Sequence, residues 1–400
     1  FIGGAYGSAP IAAIITPLFL GVIVDRLFPS EKTMGVLLLV GGAAMCFAPG
    51  LAAKNAGDAM IWMFMIHMLC YMPTLGLANT IAFTHIKDQS HFPKIRVWGT
   101  VGWIVAGLFN GFMGWSASFN IFWLAGLSSI ALGLYSFSLP HTPPPAKGKK
   151  MDLRALLMVD GLKLLTKPAF LVFFICSMAI CFPLAYYYGL TSMYLGNMGF
   201  EQPASSMTLG QMSEIVFMLM IPFCFRKFGV KMMILSGMLA WVLRYALFAF
   251  GASDQAVWMM FMGILLHGIC YDFFFVTGFM YTDKVSGPSV RGQAQSMLVF
   301  VTQGLGMLVG YKLAFGPFGL SKVTHYNELS TAIAGQAPVQ DLSFAQMLGK
   351  MFAVKTPAVD SGLLAKASME WKDVWMFPCL MAIVIMIVFA IAFWPKAHDL

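Results

Sequence analysis

The sequence predicts an all-helical protein that crosses a lipid bilayer many times, and three observations carry that prediction. Hydrophobic residues make up 59% of the 400 residues and charged residues only 10%, against about 25% charged in an ordinary soluble domain. Apolar runs of about 20 residues, the length at which a helix spans the hydrocarbon core, recur from end to end. Lys and Arg cluster in alternate joins between those runs, as the positive-inside rule requires. A soluble fold could not hide 36 Phe and 32 Met, whereas lipid removes the need for a polar exterior.

Scanning for membrane length gives eleven spans, at roughly 3–24, 33–52, 59–84, 96–117, 119–139, 168–195, 206–225, 229–250, 257–281, 292–315 and 374–394. The fourth and fifth are separated by almost nothing and form a hairpin. One set of joins carries Arg26 and Lys32; Lys87 and Lys94; Lys147, Lys149, Lys150, Arg154, Lys163 and Lys167; Arg226, Lys227 and Lys231; Lys284 and Arg291; and Lys396. The alternate short joins carry only Lys54. The first set is therefore cytoplasmic, and Phe1 falls outside. A preceding helix, absent from this sequence, would give twelve spans with both ends cytoplasmic; a first residue other than Met agrees. The longest cytoplasmic connection, 141–167, divides the chain into an N-terminal bundle (1–140, five spans) and a C-terminal bundle (168–400, six spans). A long polar external insertion at about 317–371 has periodic patches around Phe344–Phe352 that predict one or two short surface helices.

Several function classes are excluded. The net charge of +8 is dispersed in short clusters without interleaved aromatics, so it does not mark a nucleic-acid surface. The cysteines at 46, 70, 176, 181, 224, 270 and 379 show no CxxC or CxxH spacing and fall in apolar runs, so no disulfide framework, metal site or cofactor is expected. No signal peptide precedes the first span. An enzyme should show paired metal-ligand motifs or a Ser/His pair, and a sensor a soluble output domain; neither is visible.

Charges inside spans are the informative exceptions, because an acidic residue at a helix centre costs roughly 2.5–3.5 kcal/mol on insertion scales. Two carboxylates lie well within apolar runs, Glu214 in Leu-Gly-Gln-Met-Ser-Glu and Asp272 in His-Gly-Ile-Cys-Tyr-Asp. Gln211 and Glu214, three apart, share a helical face; His267 and Tyr271, four apart, share another, with Asp272 one step round. Two polar faces on two helices suit a water-filled cavity between them. A carboxylate taken out of water holds its proton more tightly and can load and release it near neutral pH, so Glu214 and Asp272 are candidates for proton coupling and solute binding. The alternative is a packing role, with the carboxylates bonded to neighbouring helices or to Arg244, the one basic residue deep in a span. Arg96, Thr100 and Trp103 form a stripe at i, i+4 and i+7, where Gly99 and Gly102 allow close approach. Tyr71-Met-Pro-Thr-Leu-Gly-Leu-Ala-Asn-Thr can kink its span or pack it. Tyr186, Tyr187 and Tyr188 read as an aromatic belt or packing feature before a stacking platform.

Gly21-Val-Ile-Val-Asp25-Arg26 resembles the G-x-x-x-D-R/K signature that the major facilitator superfamily carries between its second and third helices. Longer strings look like the bacterial nucleoside:proton symporters: Tyr71 to Ile81, Phe92-Pro-Lys-Ile-Arg-Val-Trp-Gly-Thr-Val-Gly, Gln211-Met-Ser-Glu, Ala240-Trp-Val-Leu-Arg-Tyr and Tyr271-Asp-Phe-Phe. The resemblance covers nearly the whole chain outside 317–371. It implies twelve helices, alternating access, a multi-pass bacterial inner-membrane location and a nucleoside site between the halves. Matching family site residues are Arg96, Thr100, Gln211, Glu214 and Asp272, with aromatic contacts at Trp103 and Tyr271. Where the family's seventh helix supplies amides, this chain has Ala185 and Tyr188, and His267 replaces a family tyrosine. Arg-x-x-Gly-x-x-Gly-Trp, from Arg96 to Trp103, also resembles the oligosaccharide:proton symporters, which is the alternative. The expected partners are a nucleoside, protons and the bilayer, with the chain acting as a monomer.

Overall fold

In the computed structural model, residues 2–88, 91–113, 115, 118–144, 158–287, 290–334, 344–355 and 357–395 are described; at 2, 3, 17–26, 111, 334, 344 and 347 this extends to the backbone alone. The side chains of Gly21–Arg26, and the basic run of the linker at 147–154, therefore lie outside the described set. Five long helices form the first half: α1 (Ile2–Arg26), α2 (Ser30–Ala53), α3 (Gly57–His85), α4 (Phe92–Phe112) and α5 (Asn120–Ser136). The second half opens with α6 (Pro168–Asn197). Next, the 51-residue run Pro203–Ser253 breaks at Gly229, where φ is 70° and ψ 173°. We therefore treat it as α7 (203–228) and α8 (230–253). That backbone conformation favours a residue without Cβ. Then come α9 (Val257–Ser286) and α10 (Arg291–Ala314), the short α11 (Tyr326–Ala334) and α12 (Phe344–Lys350), and α13 (Ser361–Ala392). Among the described residues, seven helices, counting the double-length run as one, are long and apolar enough to cross a membrane. Among the described residues there is no strand, only an isolated bridge between Phe200 and Val354.

The expected insertion at 317–371 is corrected at its end. α13 starts at Ser361, capped by the Asp360 carboxylate accepting from the Leu363 amide at 2.9 Å. Residues 361–371 thus continue the last span rather than belonging to a loop. The two short surface helices are α11 and α12.

Small residues let the first half pack closely. A Cβ added at Gly42 would lie 2.8 Å from the Gly126 carbonyl oxygen, and one at Gly133 3.0 Å from that of Gly35, so α2 and α5 cross almost backbone to backbone. His67 Nδ1 lies 2.9 Å from the Gly41 oxygen, tying α3 to α2, and Ser129 donates to the Leu38 oxygen at 3.0 Å, tying α5 to α2. In the second half large aromatics fill the centre. Tyr194, Phe248, Trp371 and Trp375 interlock with ring centroids 5.0–6.3 Å apart, and the Tyr194 hydroxyl donates to the Phe248 oxygen at 2.9 Å.

The halves meet along α1 with α10 and α4 with α7. Near the joins that follow α3 and precede α4, Phe83 and Phe92 of the first half join Met218, Ile221, Phe273 and Met280 of the second in one apolar cluster. Towards the opposite ends, the Tyr6 ring packs 5.3 Å from both Tyr311 and Phe315. Between these two closures the carboxylates are buried: Glu214 is 6% exposed and Asp272 0%.

Candidate functional site

The site is built on the crossing of α7 and α9, which glycine makes possible. A Cβ on Gly268 would sit 2.7 Å from the Ser213 backbone, and one on Gly210 3.0 Å from the His267 Cβ. The Gly268 amide donates to Ser213 Oγ at 3.0 Å across this contact. Glu214, the next residue on α7, is thereby brought to His267, with Nε2 3.9 Å from Oε2. Gly268→Ala is expected to force the two backbones apart and to lower stability by about 1–3 kcal/mol. Thermal unfolding in detergent measures this, with Gly102→Ala, whose Cβ would meet nothing within 4 Å, as the control. An unchanged midpoint for Gly268→Ala would contradict the close crossing.

Asp272 opens a π-helical turn, Asp272–Val276. Such a turn inserts one residue into the helix and re-aims its side chains, and it is often found at functional sites. Both Asp272 oxygens are buried, and neither has a hydrogen-bond partner among the described residues. The Gln211 Oε1 atom, one turn before Glu214, is likewise unpartnered. A buried acceptor without a donor is costly, and three of them in one place describe a receptor for donors.

Across the seam, α4 supplies the complementary charge. Arg96 Nη2 donates to the Tyr271 hydroxyl at 3.1 Å, and its Cζ lies 5.9 Å from that ring's centroid. The guanidinium folds back over Gly99, where a Cβ would come within 2.6 Å of Nη1; glycine keeps that path open. Thr100 Oγ1 donates to Glu214 Oε1 over a long 3.4 Å. Arg96 feels the charge of both Glu214 and Asp272. Glu214 also acts on Asp272, so the carboxylates titrate as a coupled pair. A solute entering here would find one guanidinium donor, several free acceptors and aromatic faces.

The structure thus brings Arg96, Thr100, Glu214, His267, Tyr271 and Asp272 together, with Gln211 beside them on α7. Tyr188 sits at the edge, 37% exposed, its ring T-shaped to His267 at 6.5 Å. Trp103 stands apart: it is 65% exposed, whereas Thr100, one turn earlier, is buried. Ala185 is buried against Gly310 of α10. Arg244 bonds to neither carboxylate. Two neighbours were not singled out from sequence. Tyr71 lies within reach of the Arg96 charge while stacking on His67 at 5.8 Å; its position at the head of a polar run interrupted by Pro73 was the available signal. Tyr187 stacks on His267 at 5.1 Å and 18°, and in the sequence only its place in a tyrosine triplet marked it. Among the described residues no cluster of His, Cys, Asp and Glu could hold a metal.

Comparison with known proteins agrees with this geometry. A sequence profile described as Nucleoside H+ symporter matches residues 1–398. The putative nucleoside transporter YegT of Escherichia coli strain K12 is 36% identical, over 98% of this chain and 85% of its own length. The nucleoside permease NupG of the same strain is 28% identical over 77% of each chain. Crystal structures of NupG, one of them of a point mutant, superpose with TM-scores of 0.71 and 0.67 at 24% identity, covering 98–99% of this chain and 90% of theirs, which places the helices in the major facilitator fold. With a profile matched along nearly the entire chain and a relative at this identity, the protein belongs to the nucleoside H+ symporter family.

Proposed function

We infer that this chain is a nucleoside:proton symporter of a bacterial inner membrane, importing its solute by alternating access, and not an enzyme. The observation that carries this reading is the polar cluster on the seam between the halves, where Arg96 and Thr100 of α4 face Tyr271 and Glu214 of α9 and α7. We assign the moving units to residues 1–140 and 168–400, joined by 141–167. In this assignment Arg96, Thr100, Gln211 and Tyr271 contact the nucleoside, Trp103 closes on it only when the halves shift, and Glu214 with Asp272 couples the proton. His267 and Tyr188 border the solute. The profile match favours nucleosides over the oligosaccharide alternative; a maltose permease of Geobacillus stearothermophilus matches at only 24% identity.

The test is uptake of labelled uridine, adenosine and lactose into proteoliposomes, with and without a proton gradient. One proton moving down 100 mV supplies about 2.3 kcal/mol, or roughly 50-fold accumulation by the relation of about 1.4 kcal/mol per decade. We expect gradient-dependent concentration of a nucleoside and none of lactose. Accumulation of lactose, or nucleoside uptake indifferent to the gradient, overturns the reading.

A further inference from the structure

Among the described residues, Glu31 and Asp283, buried outside the coupling site, face His141 and Arg291, whereas one buried cation beside that site has no ion pair. Arg244 of α8 is 0% exposed, and its Nε, Nη1 and Nη2 have no hydrogen-bond partner among the described residues. A guanidinium cannot shed its proton inside a protein, so this is a permanent cation in a buried interior, and such a charge persists only with compensation nearby. Its Cζ lies 4.1 Å from the centroid of the Tyr187 ring. Tyr187 in turn stacks on His267, and His267 Nε2 is 3.9 Å from Glu214 Oε2. The path runs α8, α6, α9, α7 through rings in contact, and every step is buried.

Resting on the function proposed above, we propose that Arg244 is the positioning residue of proton coupling: the fixed countercharge that, across the Tyr187–His267 stack, holds Glu214 able to release its proton. Glu214 is faced from α4 by Arg96 and Thr100, and from α9 by His267, Tyr271 and Asp272. From α6 it is faced by Tyr187 and Tyr188, and from α8 by Arg244. Arg96 is shared among Tyr271, Glu214 and Asp272 and lies on the half that moves away when the site opens. Arg244 stays on the same half as Glu214, and the other titratable groups its charge acts on include Tyr187, Tyr188, Tyr245, Cys270 and His267, all of them neutral in this interior. α13, packed on α8, brings the Cys379 thiol to the Val242 carbonyl, Trp375 onto the Tyr245 ring and, near the far end of α8, the Lys372 ammonium over the Phe250 ring. Glu214 is thus the anion left for Arg244 to balance, whichever way the cavity faces. Cation–π contact with Tyr187 holds the guanidinium in place without an acceptor that would neutralise it.

The test uses the full chain in proteoliposomes, following exchange of labelled uridine and adenosine from pH 5 to 9 for wild type, Arg244→Lys and Arg244→Met. Removing the cation is expected to move the pH of half-maximal exchange to the alkaline side, the direction in which losing a nearby opposite charge moves a carboxylate, while Arg244→Lys stays near wild type. A packing role predicts lower stability with an unmoved profile, and that result overturns the proposal. If Arg244→Met cannot be recovered folded, the double variant Glu214→Gln with Arg244→Met decides. Countercharges removed together restore a detergent-stable protein, and failure to do so overturns the proposal. A wild type showing no proton-dependent exchange would instead sink the symport reading itself.

Discussion

Glu214→Gln and Asp272→Asn are expected to separate accumulation from exchange. Both carboxylates are buried on α7 and α9 between two closures, so a proton reaches them only when one closure opens. An amide of the same shape cannot carry that proton but can still accept and donate hydrogen bonds. In the variant that lacks the coupling group, gradient-driven accumulation should fall from roughly 50-fold at 100 mV to equilibration. Exchange at equal internal and external pH should persist, and its rate should lose pH dependence. Because the two groups interact, the remaining carboxylate will titrate differently in each variant, so both profiles must be recorded. If both variants still concentrate nucleoside with the wild-type profile, the carboxylates only hold helices together.

Arg96→Gln should weaken nucleoside binding by about 10- to 100-fold, because a hydrogen bond to a charged group contributes about 1.5–3 kcal/mol and the variant also frees the Tyr271 hydroxyl. Arg96→Lys should not restore affinity, since an ammonium lacks the planar fork that can hold Tyr271 and a solute together. Tyr271→Ala should cost about 1–3 kcal/mol if a base stacks on the ring, and Tyr271→Phe considerably less. Trp103→Ala, at an exposed position in this state, should affect transport rate more than equilibrium affinity. Isothermal titration of purified protein measures the affinities. Unchanged binding in both Arg96→Gln and Tyr271→Ala would put the nucleoside elsewhere.

Much of this was legible in the chain. The spans could be read because lipid leaves no other way to satisfy backbone polar groups over about 20 apolar residues. Glu214 and Asp272 stood out for the same reason, since a charge is expensive there. Arg96, Thr100, Gln211 and Tyr271 followed from helical spacing and from resemblance. Periodicity relates residues only within one helix, however, and the site is made by four.

What the sequence by itself determined is the inventory: helical spans, and which rare polar groups are committed to the interior. Insertion cost acts on local composition, so it can be read locally. Only the tertiary structure decided who meets whom. Glycines at 210 and 268 set the α7–α9 crossing that brings His267 to Glu214. A π-helical turn re-aimed Asp272, and the seam carried Arg96 to Tyr271 across 175 residues. Arg244, which sequence reasoning offered as a partner for the carboxylates, proved to rest on a tyrosine ring instead. Such pairings depend on how helices distant in sequence dock, and close packing between docked faces is a property of their shapes together, which no single stretch of chain contains.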